Sequence, residues 1–289
     1  MTTSSSPGRA RPRRAGGAEG RAVPTVLSGL GRAVLWAVRR LWLLASLLFV
    51  WWAVTRAGWI EAYRLPSPGA VLGELRHGFT DERIDLAGAV TSTFLRLLQG
   101  WAIGVFAAVL LGITTAAKPF LEDGVRPLMS GLQAVPTIAF LPLAILWFGF
   151  GPEAVLAITI FGTFKPMVLA TYAAVHQVSP TLRQAGRAMG ARGVFYQRTL
   201  ILPATVPALV TGLRLSWAFA WRSLMAAELI VGGTPGLGQV LEEGRELNDI
   251  ELVVGVIVLI AAIGVVVEQV GFTRFERWVR RRWGLATPV

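Results

Sequence analysis

The side chains in this sequence that could best carry out binding or catalysis are charged residues inside long apolar runs. Lys165 lies near the middle of one run, and Arg214, Arg222 and Glu228 share another. A charge at the centre of a bilayer costs roughly 2.5–3.5 kcal/mol on insertion scales, so such residues usually pair or line a pathway. An anion pathway and internal pairing, such as Lys165 with Glu228, are both open. Arg96, in the outer half of an earlier run, is expected to snorkel outward.

Enzymatic chemistry has little support in the sequence. There is no cysteine, and the two histidines, His77 and His176, are expected at solvated loop or helix-end positions. Thiol catalysis, a Ser–His–Asp constellation and a metal cluster therefore cannot be assembled. The G-x-x-x-x-G-K-[S/T] loop that cradles ATP phosphates is also missing. We therefore expect no catalytic residues, no metal and no cofactor bound by this chain.

The elements that must position these charges are long apolar segments. Of the 289 residues, 54% are hydrophobic and 16% are charged, whereas soluble domains carry about 25% charged residues. A helix needs about 20 mostly apolar residues to span a bilayer. Six segments are candidates: Leu41–Thr55, Leu97–Ala117, Pro127–Gly151, Glu153–Val175, Pro203–Ile230 and Leu252–Val270. The sequence therefore predicts an all-α, polytopic membrane protein with six transmembrane helices. Gly100 and Gly104 form a G-x-x-x-G pair that permits close helix contact.

Basic residues are distributed asymmetrically about these segments. With the N-terminal side taken as inner, the inner segments hold nineteen Lys and Arg residues. The outer segments hold four: Arg64, Arg76, Arg83 and Arg245. Because cytoplasmic loops retain Lys and Arg, we predict a multi-pass protein of the plasma (inner) membrane with both termini in the cytoplasm. This flanking placement, together with the lack of a nucleic-acid motif, argues that the net charge of +11 reflects the membrane and not nucleic acid.

Composition divides the chain into three regions. Residues 1–35 are rich in Ser, Gly, Pro, Ala and Arg without apolar periodicity, which predicts a disordered basic cytoplasmic tail. Residues 36–285 form the predicted transmembrane domain, and 286–289 form a short C-terminal tail. The first apolar run is not followed by a small-residue cleavage site, so we expect it to be retained.

The inner loop at 178–203 carries the most specific pattern in the chain. It contains four Arg and no acidic residue. Small and apolar residues recur there at helical spacing: Leu182, Ala185, Gly186, Met189 and Gly190. This pattern predicts a helix with one face suited to close docking of another protein. Gly190 and Gly193 are expected to end that helix, and Pro203 to begin the next span, where its missing N–H costs least.

This loop resembles the EAA coupling loop of the permease subunits of ATP-binding-cassette (ABC) importers. The family pattern is Glu-Ala-Ala, three residues, Gly, nine residues and Ile-x-Leu-Pro. The matching positions here are Gln184, Ala185, Gly186, Gly190, Leu200, Leu202 and Pro203. Gln184 replaces the usual Glu and removes a charge, and Gly186 replaces the second Ala. The resemblance implies that the loop sits in a cleft of a cytoplasmic ATPase and transmits its closure to the pore.

The resemblance extends from about Leu65 to Leu285. Within this range the sequence is similar to the nitrate, sulfonate, taurine and bicarbonate branch of these permeases. Three further stretches carry it: LPSPGAVLGEL, QAVPTIAFLPLAILWFGFG, and WRSLMAAELI followed by PGLG. It implies the core fold of the first type of ABC importer, working as a homodimer around one pore. It also implies an extracytoplasmic binding protein that delivers a small anionic solute, and a separate ATPase that holds ATP and Mg. The segment 235–251 is expected to form a short interfacial helix or a plain connector.

Two other functions remain to be weighed against an importer permease. An ion-coupled secondary transporter without an ATPase would be expected to contain inverted repeats, and the two halves of this sequence show no self-similarity. A membrane scaffold without transport is disfavoured by the charges inside the apolar runs.

Overall fold

The computed structural model describes residues 42–61, 63–80 and 84–283, and this part of the chain is helical without β-strands. The predicted tails at 1–35 and 286–289 lie outside the described residues. The chain divides into two units, Met1–Ala53 and Val54–Val289. The first unit contributes most of helix α1 (Trp42–Arg56), which is apolar and exposed.

The second unit is a succession of helices of very different lengths. Its first half contains α2 (Pro68–Thr80), α3 (Leu86–Ala117), α4 (Pro119–Ala134), a 3₁₀ turn (Thr137–Phe140), α5 (Leu141–Phe148) and α6 (Pro152–His176). Then come α7 (Pro180–Ala188), α8 (Gly193–Tyr196), a π-helical turn (Gln197–Ile201) and α9 (Leu202–Ile230). Last are α10 (Leu237–Glu246), α11 (Ile250–Val266), a second π-helical turn (Val267–Phe272) and α12 (Thr273–Arg282).

Four of the described helices are long and apolar enough to cross a membrane: α3, α6, the continuous helix Gly193–Ile230 and the continuous helix Ile250–Arg282. A fifth span arises if α4 and the segment Thr137–Phe148 are taken together. The all-α, polytopic fold is therefore confirmed. Of the six predicted spans, the first corresponds to α1, which is shorter than a full span over the described residues.

The third predicted span is not straight. α4 and the segment that follows are bent by 98°. The break falls at Val135 and Pro136, where Val135 is extended (φ −84°, ψ 127°). A residue before proline is disfavoured in the α region, and proline itself has no N–H to donate, so the helix ends here. The bend leaves the last carbonyls of α4 without helical partners.

The packing of α3 on α6 depends on glycine. Three glycines of α3 lie against three threonines of α6: Gly100 on Thr159, Gly104 on Thr163, and Gly112 on Thr171. A Cβ at any of these glycines would lie 2.6–2.7 Å from the threonine side chain, so only glycine permits this approach. The constant offset in numbering means that the two helices run parallel. The predicted close contact at Gly100 and Gly104 is confirmed.

α6 is the central helix of the bundle. Within its apolar window 61% of residues are buried, against 17–33% in the other three spans. Its second neighbour, α9, runs antiparallel to it, since Gly162 meets Ser223 and Ala170 meets Gly212. α6 therefore holds α3 and α9 together, and both of these helices carry charged candidate residues.

The α3–α6 contact can be tested with Gly104→Ala. The new methyl group would stand 2.9 Å from the Ile160 carbonyl oxygen and 2.7 Å from Thr163 Cβ. We expect a destabilisation of about 1–3 kcal/mol, the range for overpacking, seen as a lower melting temperature in detergent. Gly73→Ala in α2 is the control, because a Cβ there has no neighbour within 4 Å. Equal melting temperatures for the two variants would contradict this packing.

Candidate functional site

The loop at 178–203 folds as a short helix that ends at a glycine. Ser179 caps α7 by accepting a hydrogen bond from the Leu182 amide at 3.3 Å, and Pro180 occupies its first turn. At the other end Gly190 has φ +84°, a conformation that favours glycine. The Ala191 amide reaches back to the Gly186 carbonyl at 3.0 Å, which closes a Schellman cap. The predicted helix and its end at Gly190 are therefore both confirmed.

α7 folds back onto the turn that follows it. A Cβ at Gly186 would lie 2.9 Å from Leu200 and 3.4 Å from Tyr196, so glycine at this position brings the two segments together. Gln184 and Ala185 are exposed on α7. Leu202 and Pro203 begin α9, and the Pro203 carbonyl accepts a 2.8 Å hydrogen bond from the Trp283 indole.

The loop 178–203 exposes several large apolar side chains. We name as the docking face four exposed side chains: Leu182, Met189, Val194 and Phe195. Met189 is 78% exposed and Phe195 is 66% exposed. Large apolar side chains that cluster in a loop rich in arginine are typical of a surface that contacts another protein.

Lys165 is buried and holds the bend after α4. Its side chain is 1% exposed, and its ammonium nitrogen donates to the carbonyls of Leu132 (3.1 Å) and Val135 (3.4 Å). The ring of Phe161 lies 4.6 Å from the same nitrogen. A positive charge at the carboxyl end of a helix satisfies free carbonyls and opposes the negative end of the helix dipole. Lys165 thus stabilises a wall of the bundle from behind.

Of the two alternatives for Lys165, the pairing with Glu228 is wrong. Glu228 is fully buried and pairs with Arg96, which therefore turns inward and does not snorkel. The Thr93 hydroxyl donates to the same carboxylate at 2.8 Å, and the Gly238 amide at 3.3 Å. A buried ion pair needs such extra hydrogen bonds to offset the desolvation of its charges.

The glycines of the PGLG sequence make room for this carboxylate. A Cβ at Gly236 would lie 2.7 Å from a carboxylate oxygen of Glu228, and a Cβ at Gly238 would collide with its side chain. The Leu237 amide between them donates to the Thr93 hydroxyl at 2.9 Å. The role of Thr93 and of these glycines was missed from the sequence, although the PGLG motif near Glu228 was the signal.

The remaining two cations of α9 differ from each other. Arg214 pairs with Glu268 at 2.7 Å. Arg222 is exposed, and its guanidinium contacts the carbonyl of Ala218 (2.9 Å) and the ring of Phe219 (4.9 Å). Among the described residues no carboxylate pairs with Arg222. Of the candidate pathway residues it is therefore the one whose charge is free to meet a solute.

Arg222 lines a cavity of about 360 Å³ beside the bend after α4. The other polar lining residues are Gln133, Thr137 and Ser223. Lys165 bonds the Val135 carbonyl, and Val135 lines the same cavity as Arg222, so both candidate residues lie near the bend. The structure thus brings Lys165 and Arg222 to one region, and keeps Arg214 and Glu228 in separate ion pairs.

The segment 235–251 forms the expected short helix, α10. Leu237 and Val240 are buried, and Glu242, Glu243 and Glu246 line a cavity of about 400 Å³ at its surface. A hydrogen bond from Arg245 lowers the pKa of the Glu242 carboxyl, so this residue stays ionised at neutral pH.

The sequence of this chain matches a known protein family and several of its members. The family model of the binding-protein-dependent transport system inner membrane component matches residues 103–283. The taurine transport system permease protein of Escherichia coli (strain K12) is 31% identical over 232 residues, which cover 78% of this chain and 82% of that protein. The putative aliphatic sulfonates transport permease protein of Bacillus subtilis (strain 168) is 26% identical, with 76% and 79% covered.

A solved structure is also similar. A chain from an inward-facing structure of the MetNI methionine ABC transporter matches with a TM-score of 0.60 and 20% identity, covering 67% of this chain and 95% of that one. At this identity the likeness concerns the fold alone. It agrees with the all-α membrane fold described above.

The separate roles of Lys165 and Glu228 can be tested by their rescue pattern. We expect Glu228→Gln to lower the melting temperature of the detergent-solubilised protein, because Arg96 loses its buried partner, at a cost of about 3–5 kcal/mol. Lys165→Met should destabilise it too, since the carbonyls of Leu132 and Val135 lose their donor.

The double variant distinguishes the two arrangements. Since the two residues belong to different networks, the losses should add to within about 0.5 kcal/mol. A double variant that melts above both single variants would indicate that Lys165 and Glu228 pair in the wild-type protein, and would refute the separate networks described here.

Proposed function

We propose that this chain, which belongs to the family of binding-protein-dependent transport system inner membrane components, carries a small oxyanion through the membrane as the permease subunit of an ATP-driven importer. Membership in this family favours that function over an ion-coupled secondary transporter. The fold and the absence of a phosphate-binding loop in the sequence agree with a non-enzymatic subunit. ATP and Mg are proposed to bind a separate cytoplasmic ATPase.

One observation carries the proposed substrate class: the unpaired guanidinium of Arg222 on a cavity wall. A planar guanidinium forms two parallel hydrogen bonds with an oxyanion. The names of the two similar proteins given above mention taurine and aliphatic sulfonates as solutes. Both kinds of solute contain a sulfonate group. We therefore propose a sulfonate-like or comparable small oxyanion as the solute.

The pathway is proposed to form between two copies of the chain. Arg222 is exposed, and the residues of α9 that contact α6, Gly212 and Ser223, lie about 80–100° around the helix axis from it, so α6 leaves it accessible to a second copy. A second copy related by a two-fold axis would place a second Arg222 across the pore. In this arrangement two guanidiniums face one solute, and the polar groups of Gln133, Thr137 and Ser223 complete its surroundings.

The orientation and the protein partners follow from the charge distribution and the two surfaces described. The basic inner segments are proposed to face the cytoplasm, with both termini on that side. The docking face would then meet the ATPase. The acidic surface of α10 would face outward and receive the extracytoplasmic binding protein.

Arg222→Gln tests the substrate contact. We expect the uptake KM for the solute to rise about 10- to 100-fold, as for loss of a hydrogen bond to a charged group, while the melting temperature is unchanged. Arg222→Lys should restore part of the uptake because it keeps the charge. The control is Arg76→Gln, which removes an exposed cation from α2. Wild-type uptake by Arg222→Gln would exclude this residue from the pathway.

Phe195→Glu tests the docking face. A charge at the centre of an apolar contact is costly to desolvate, so we expect the ATPase to be lost on purification and uptake to fall more than tenfold. Phe195 is preferable to Gly190 as a target, because any side chain at Gly190 adds backbone strain at φ +84°. Tyr63→Glu is the control, since Tyr63 is equally exposed (63% against 66%) on the predicted outer side. If Phe195→Glu retained the ATPase as well as Tyr63→Glu does, the docking face would be misassigned.

A further inference from the structure

A second cavity, of about 500 Å³, lies behind the coupling loop, between the ends of α3 and α6 and the loop itself. Its walls include Ala116 and Ala117 at the end of α3, and Val175 near the end of α6. We name it the arginine cavity after the residues that give it its chemistry: Arg183, Arg187, Arg192, Tyr196 and Gln197. No carboxylate is among its lining residues.

Two polar atoms in the wall of the arginine cavity have no partner. The Tyr196 side chain is 9% exposed, and its hydroxyl is buried without a hydrogen bond to any described residue. The side-chain oxygen of Gln197 is in the same state. Each of these atoms exposes less than 1 Å², so neither faces the open volume of the cavity, and the donors for a ligand must come from the arginines.

The three arginines of the cavity differ in the contacts that their guanidinium groups make. Arg183 donates to the Val178 carbonyl at 3.2 Å and also bonds the Val175 carbonyl, so it closes the end of α6 and is occupied. Arg187 lies over the Tyr196 ring at 5.9 Å, and Arg192 is exposed. Neither of these two has a carboxylate partner within the described part of the chain. Two guanidiniums are therefore available as donors in one cavity.

The arginine cavity is separate from the docking face. Arg187 precedes Met189 by two residues, so their side chains leave α7 about 160° apart. Gly186, packed under Leu200, lies between them on the buried side of the helix. A ligand in the cavity would therefore support α7 from behind while a protein contacts its front.

We infer that the arginine cavity binds the phosphate group of an anionic ligand, either a phospholipid headgroup or free phosphate. Guanidinium groups match the geometry of phosphate oxygens, and both Arg187 and Arg192 are free of a carboxylate partner among the described residues. The cavity opens at the ends of two spans, where lipid headgroups lie, and basic pockets between spans recognise anionic headgroups. The ligand would stabilise the position of α7.

The test uses the full-length protein purified in a neutral detergent and freed of anionic lipid. Phosphatidylglycerol, phosphatidylcholine and inorganic phosphate are titrated separately, and binding is read by native mass spectrometry and melting temperature. The variants are Tyr196→Phe and the double change Arg187→Gln/Arg192→Gln. The control is Arg198→Gln, which removes a charge from the same loop but does not line the cavity.

We expect a raised melting temperature and a bound species for wild type, and binding about tenfold weaker for the double variant. Tyr196→Phe, which keeps the ring that Arg187 contacts, and Arg198→Gln should both leave it unchanged. Binding of phosphatidylglycerol that inorganic phosphate does not displace identifies a lipid, and displacement by phosphate identifies the free ion. The inference is overturned if no probe binds, if phosphatidylcholine binds equally, or if Arg198→Gln loses as much as the double variant. These readouts do not depend on uptake, so they can fail while the proposed transport function stands.

Discussion

A charge in the low dielectric of a membrane must find compensation, and the arrangement of this bundle follows from how each charge does so. Glu228 and Arg96 neutralise each other and draw in Thr93 and the backbone of the PGLG turn. Lys165 finds carbonyl oxygens at a broken helix instead of a carboxylate. Arg214 takes Glu268 from the last span. Once these groups are satisfied, Arg222 is left with its own backbone and an aromatic ring, and this residual charge is the basis for proposing it as the contact of the solute.

Compensation by carbonyls links two irregular features of the fold. Pro136 ends α4 and exposes its last carbonyls, and Lys165 from the central helix satisfies them. The 98° bend and the buried lysine therefore depend on each other. Residues of the bend line the cavity beside Arg222, so Lys165 influences the shape of that cavity without lining it.

Features that depend on local sequence could be predicted here, and features that depend on long-range contact could not. The apolar runs, the α7 helix, its end at Gly190 and the glycine contact of α3 all follow from composition and spacing. The partner of Glu228 lies 132 positions away, and its identity depends on how each helix is rotated in the bundle. The break at Pro136 had a sequence signal, but its angle depends on packing. The first predicted span, Leu41–Thr55, coincides with α1 over the described residues.

Phe195 of the loop and Arg222 belong to one helix, because Gly193–Ile230 is continuous through the π-helical turn and α9 over 38 residues. At 1.5 Å per residue this rod is roughly 57 Å long, and Arg222 lies about 40 Å from the end that carries Phe195. A tilt of about 10° around its midpoint would move each end by about 5 Å, in opposite directions. The π-helical turn Gln197–Ile201 lies near the loop end of this helix. Under the proposed function, a push on the loop would tilt the helix and would reach Arg222 as a sideways displacement.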